Sequence, residues 1–246
     1  MKLLEGKCAV VTGGSRGLGR AICEEFSAQG ADVAFNYSSD AEGAAETLAA
    51  IAKTGRRGLA FQVSVLDEEG LNRMAGEIES AWGKIDVLVN NAGISQPLLL
   101  PLLEEADWDK LMDINVKGQF LAVRAMIRGM LRRKRGSILN IGSLAGIRLI
   151  ESPVHYAASK AAIKGFTQAL AKEMARSNIR VNCLAPGLLE EGVGQNLPEH
   201  RLKDYLKHVS LHRLGTLAET ARCAAFMVSD RNGYMNGETL VLDGGL

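Results

Sequence analysis

Short apolar runs and longer amphipathic stretches alternate along the whole chain. The runs CAVVTG, DVAFNY, LAFQV, DVLVNNA, SILNIGS, IRVNCLAPG and ETLVLDGG are separated by segments whose apolar positions recur at helical spacing. Several runs are almost wholly apolar instead of alternating, the pattern of strands covered by helices on both faces. The pattern predicts an α/β fold, a doubly wound parallel sheet of about seven strands with helices on both faces. Many runs end in Gly, Asn or Ser, which puts small and polar groups along the carboxyl edge, where open α/β sheets bind ligands. One stretch departs from the rhythm: residues 186–215, PGLLEEGVGQNLPEHRLKDYLKHVSLHRLG. Its glycines lead into an amphipathic helix carrying Leu202, Tyr205, Leu206 and Val209, and it is expected to cover the carboxyl edge as a lid.

The length of 246 residues suits one domain spanning 1–246. A hydrophobic share of 47% with a net charge of only +1 excludes disorder and the broadly basic surface of nucleic-acid binders. Glu5 and Lys7 interrupt what would be the apolar core of a signal segment, and no apolar run reaches membrane-spanning length, so a cytoplasmic protein without a membrane partner is expected. Cys8, Cys23, Cys183 and Cys223 form no CxxC pair and read as small buried hydrophobes. His208 and His212 lack a third ligand, and no metal is expected.

VVTGGSRGLGRAI places Gly13, Gly17 and Gly19 between the first strand and the first helix, together with Ser15, Arg16 and Leu18. Side chains at the glycines would keep a phosphate from the backbone N–H groups at the helix amino end. At the end of the second strand, FNYSSD, an acid would bond the ribose 2′-hydroxyl of NAD and repel the 2′-phosphate of NADP. Asn36 stands there instead, Tyr37 and Ser38 offer donors, and Arg16 supplies a permanent positive charge. The expected cofactor is NADP(H). Asp40 reads as the cap of the following helix; the alternative makes it the ribose ligand.

HYAASK sets Tyr156 and Lys160 four residues apart, on one helix face, where the ammonium favours the phenolate. TGGSRGLG, NNAG, NVKG, GS and YAASK, in this order and spacing, resemble the short-chain dehydrogenase/reductase family over essentially the whole length. The resemblance implies a Rossmann-type fold, Tyr156 as acid/base, Lys160 as its partner and holder of the nicotinamide ribose, Ser143 as the carbonyl-binding hydroxyl, and Asn115 as the holder of a relay water. It further implies that Asn91, Ala92 and Gly93 shape the adenosine side, and that Pro186, Gly187 and Leu189 lie along the nicotinamide side. Two positions depart from many relatives. Ser64-Val65 stands where an Asp-Val pair meets the adenine, and Glu191 where a threonine meets the carboxamide.

Within the family, TGGSRGLGRAI, NVKGQF and NGETLVLDGG are similar to β-ketoacyl-(acyl carrier protein) reductases, which implies NADPH-dependent reduction of a β-ketoacyl thioester. An NADP-dependent dehydrogenase of a sugar, steroid or other secondary alcohol is the alternative; a nonenzymatic nucleotide sensor is the third reading. Arg132, Arg133, Lys134 and Arg135 end a helix near the strand leading to Ser143, and Arg176 ends the helix of Tyr156; these cations suit an acidic acyl carrier protein, though cations there also complement helix carboxyl ends. A homotetramer is the expectation the family carries.

Overall fold

The computed structural model describes residues 2–192 and 198–246, so residues 193–197 of the expected cover lie outside the described residues. All seven apolar runs are strands: β1 (Cys8–Thr12), β2 (Asp32–Tyr37), β3 (Gly58–Gln62), β4 (Val87–Asn90), β5 (Gly136–Ile141), β6 (Ile179–Pro186) and β7 (Thr239–Leu242). Every pairing is parallel, in the order β3-β2-β1-β4-β5-β6-β7. The chain winds from β1 to one edge, returns to β4 on the other side of β1, and continues outward to β7. That reversal opens a crevice at the carboxyl ends of β1 and β4.

The helices are α1 (Gly17–Ala28), α2 (Ala41–Lys53), α3 (Glu68–Trp82), α4 (Glu105–Met112), α5 (Gly118–Arg133), α6 (Val154–Met174), α7 (Glu199–His208) and α8 (Leu217–Val228). Two buried clusters explain why several strands are almost wholly apolar. Ala9 and Val11 of β1 pack with Ile22 and Phe26 of α1 and Ala221 and Ala225 of α8, whereas Val10 between them packs with Ile78 of α3 and Met126 and Met130 of α5. Neighbouring residues of one strand thus enter different cores.

Local signals start two of the helices, the first as expected. The Asp40 carboxylate accepts from the Gly43 N–H at 3.0 Å and caps α2, and Thr216 and Glu219 cap α8 reciprocally. Cys8, Cys23 and Cys183 are buried free thiols and Cys223 is half-buried; burial pushes the Cys183 thiol up to about 11. No helix among the described residues is long and apolar enough to cross a membrane.

Candidate active site

The turn after β1 runs with positive φ at Gly13 (70°) and Gly17 (52°), backbone that L side chains rarely adopt. A Cβ at Gly19 would collide with the Gly13 carbonyl oxygen and come within 2.6 Å of Asn91 Nδ2. The turn is tied to the end of β4: the Asn91 and Ala92 N–H groups donate to Thr12 Oγ1 at 2.9 and 3.0 Å, and Asn91 Nδ2 donates to the Thr12 and Gly13 carbonyls at 3.0 and 3.2 Å. Ser15 is buried, with its carbonyl accepting two bonds from the Arg20 guanidinium.

Asn36 belongs to the same buttress. It is buried, accepting from the Gly13 N–H at 3.3 Å and donating to the Val63 carbonyl at 2.7 Å. The β1–β2 register sets Asn36 beside Thr12 and turns its amide toward the glycine turn. Its contribution there is the absence of a carboxylate. Tyr37 is half-buried, and Ser38 and Arg16 are exposed. Arg16, with extended backbone ahead of α1, accepts at its carbonyl from the Arg20 N–H at 3.2 Å, and its guanidinium makes no cap bond and no ion pair among the described residues. Ser64 Oγ accepts from the Leu66 N–H at 3.2 Å, while Val65 is buried against Gly118.

Beyond β5, Ser143 Oγ accepts from the Ala145 N–H at 3.2 Å and caps a single 3-10 turn, Leu144–Gly146. A Cβ at Gly146 would collide with the backbone of Lys160, so this turn is seated directly on α6. Ser143, Tyr156 and Lys160 line one cavity of about 590 Å³. Lys160 is buried; its Nζ donates to the Ile141 carbonyl at 3.0 Å and lies 5.7 Å from the centre of the Tyr156 ring. Asn115 sits in a π-turn, Asp113–Lys117, between α4 and α5. Its Oδ1 accepts from the Ile94 N–H at 2.8 Å, and its Nδ2 donates to the Ile94 carbonyl at 3.0 Å and to Ser159 Oγ at 3.1 Å. The side chain is therefore spent on protein partners.

The cavity floor is formed by Pro186 and Gly187, whose N–H donates to the Leu242 carbonyl at 2.9 Å. Across it, α7 turns Arg201, Asp204, Tyr205 and His208 toward the cavity, while Val209 just beyond the helix is buried. The Tyr205 hydroxyl accepts from the Leu188 N–H at 3.1 Å; burial pushes its pKa up, and the nearby Asp243 adds to that against the Leu188 bond. Leu189 and Glu191 also line the cavity, so Glu191 faces it. Arg201 pairs with Glu151 at 2.8 Å, joining α7 to the segment before α6. Tyr205, Arg201 and Ser159 were not singled out by motif; only their spacing on predicted helices hints at them.

The basic cluster lies elsewhere. Arg132 pairs with Glu79 and Arg135 with Asp230, each at 2.8 Å, and Arg133 donates to the Ile85 carbonyl. Lys134 and Arg176 are exposed. All precede the amino ends of β5 and β6, whereas Ser143 follows the carboxyl end of β5, so the strand itself separates the cluster from the cavity of the same chain.

Beside Tyr156, His155 is fully buried with no hydrogen-bond partner at either ring nitrogen among the described residues. Burial holds its pKa below the ordinary value, and the field of Asp107 offsets only part of that. An unfolded histidine takes up a proton as pH falls through about 6.5, one that the buried ring refuses. Stability from this residue is thus present above that pH and lost below it. Thermal melts between about pH 7.5 and about 5.5 should show a falling Tm, with a smaller fall in His155→Leu; equal slopes in both proteins would refute this origin.

Fold and cavity together define a dinucleotide-binding α/β oxidoreductase architecture. A family described as "Enoyl-(Acyl carrier protein) reductase" matches residues 13–246, and the chain belongs to the short-chain dehydrogenase/reductase family. It is 38% identical over 246 residues to the 3-oxoacyl-(acyl carrier protein) reductase FabG of Chlamydia trachomatis, covering 99% of this chain and 98% of that relative. The FabG of Thermotoga maritima is 36% identical over 248 residues, with coverage of 99% and 98%. Among solved structures, a double mutant of the Serratia marcescens short-chain dehydrogenase/reductase superposes with a TM-score of 0.92 at 31% identity, covering 99% of this chain and 98% of that one.

Proposed function

We infer that this protein reduces a β-ketoacyl thioester on acyl carrier protein to the 3-hydroxyacyl product, using NADPH. The reading rests on the convergence of Ser143, Tyr156 and Lys160 on one cavity, in a chain that aligns end to end with relatives named 3-oxoacyl-(acyl carrier protein) reductases. The Gly13–Gly19 turn, which packs so tightly that a Cβ at Gly19 would meet the Gly13 carbonyl oxygen, fits a pyrophosphate at the amino end of α1. NADP(H) fits better than NAD(H), because Asn36 and Asp40 are turned to structural bonds and Arg16 is left to meet a 2′-phosphate. When bound, the nicotinamide supplies the hydride. Ser143 Oγ–H and Tyr156 Oη–H donate to the substrate carbonyl oxygen, stabilising the charge that grows there, and Tyr156 passes its proton to the alkoxide. Lys160, anchored on the Ile141 carbonyl, steadies the phenolate that remains. Asn115 holds the cavity wall through Ile94, and its side chain makes no direct bond to substrate.

The matched family's description names enoyl reduction; the Tyr156–Lys160 spacing and the named relatives favour the ketone. The test compares NADPH with NADH on a 3-oxoacyl thioester, the matching 2-enoyl thioester and a panel of sugars and simple ketones, following nicotinamide absorbance. NADPH-selective turnover of the 3-oxoacyl thioester is expected. Turnover of the enoyl thioester alone, or only of a free ketone or sugar, overturns the substrate assignment.

The assembly proposed is a cytoplasmic homotetramer, with residues 186–192 and 198–215 covering the substrate. Phe120 and Leu131 on α5 and Phe226 on α8 are exposed apolar side chains suited to contact with other protomers. Arg176 lies roughly 30 Å along α6 from Tyr156 at about 1.5 Å per residue, so a carrier docked on Arg132, Arg133, Lys134, Arg135 and Arg176 serves the cavity of a second protomer. Arg176→Glu should lower kcat/KM severalfold on the carrier-bound substrate and leave a free thioester analogue unchanged; equal effects on both would remove the docking role.

A further inference from the structure

We propose that Ser159 is a positioning residue that orients the Asn115 amide and so fixes Tyr156 against the opposite cavity wall, a role that rests on the reading of Tyr156 as proton donor. Ser159 is fully buried. Its hydroxyl donates to the Tyr156 carbonyl at 2.8 Å, which commits its one proton. Toward Asn115 it can therefore act only as an acceptor, and Asn115 must turn its NH2 to it, at 3.1 Å. The amide oxygen is thereby aimed at the Ile94 N–H, 2.8 Å away, and the second amide proton at the Ile94 carbonyl, 3.0 Å away. One hydroxyl thus locks three elements together: the segment after β4, the π-turn, and the first turns of α6. Ile94 and Tyr156 both line the cavity, so this clamp sets the spacing between the wall that meets the substrate and the group that protonates it. With alanine at 159 one Asn115 proton is left unpaired in a buried site, and the amide keeps only its two Ile94 bonds, with nothing tying it to α6.

The test is a cycle of Ser159→Ala, Asn115→Ala and the double variant, read as kcat and KM for NADPH and a 3-oxoacyl thioester, with Tm for each. Ser159→Ala is expected to lower kcat about tenfold, a displacement-sized loss, with the KM for NADPH within about twofold and Tm within a few degrees. In the Asn115→Ala background the same change should cost less than about twofold, because coupled residues are not additive. Ser159→Cys, similar in size and keeping a weak donor and acceptor, should recover part of the rate and serves in place of Ser159→Ala if that variant does not fold. An unchanged kcat, a full loss repeated in the Asn115→Ala background, or losses of Tm, cofactor binding and kcat in parallel would overturn the proposal. Full turnover by Tyr156→Phe would instead bring down the chemical reading, leaving the 115–159 coupling measurable in Tm.

Discussion

Replacing Tyr156 with phenylalanine should lower kcat by about 10³-fold or more, because a positioned acid typically contributes between about 10² and 10⁴, while NADPH binds as before. The hydroxyl makes no hydrogen bond to another described residue, and Tyr156 is only half-buried, so its loss leaves no buried partner stranded. The ring, which lines the cavity, is retained. Stability and cofactor affinity are therefore expected to hold while the alkoxide loses both a hydrogen bond and its proton source. Single-turnover absorbance gives the rate, and NADPH fluorescence titration gives the affinity. A loss of under about tenfold would mean that another group supplies the proton, and the roles given to Ser143 and Lys160 would have to be redrawn.

Gly19→Ala should act on the other half of the reaction. The added carbon would occupy the place of the Gly13 carbonyl oxygen and crowd Asn91 Nδ2, and neither can yield without opening the turn that aims backbone N–H groups at the pyrophosphate. Each such bond to a charged group is worth about 1.5–3 kcal/mol. Losing two weakens NADPH binding by about 100-fold or more, since about 1.4 kcal/mol is tenfold. The control is Gly76→Ala on α3, where the added carbon meets nothing within 4 Å and a modest gain in helix stability is expected. If titration finds Gly19→Ala binding NADPH as tightly as Gly76→Ala does, the cradle is not where the pyrophosphate lies.

The strands were legible because those inside the sheet are covered by helices on both faces and are largely apolar, while the half-buried edge strands β3 and β7 still form short apolar runs. The glycine turn and the Tyr156–Lys160 pair were legible because both are local: one needs a positive φ within a few residues of a strand end, the other a single helical turn. What stayed hidden depends on distant pairing. Asn36 is a polar residue at a strand end, and only the register that places it beside Thr12 shows that its amide faces inward. Ser159 looks like a spacer inside YAASK until Asn115, 44 residues earlier, is brought against it. The edge on which Arg132–Arg135 sit was recoverable, since residues just before a parallel strand lie at its amino end, away from the residues that follow it. The direction of His155 was not, because helical spacing alone does not say which neighbouring helix covers that face.

The shared core of α1 and α8 also bears on how the chain acquires its structure during synthesis. Ile22, Cys23 and Phe26 are covered in part by Ala221, Ala224 and Ala225, yet about 190 residues separate the two helices. At roughly 5–20 residues per second on the ribosome, the apolar side of α1 waits about 10–40 s for its cover. The helix that carries the nucleotide cradle at its head is thus among the first segments made and among the last to be fully covered, which exposes the nascent chain to chaperone capture in that interval.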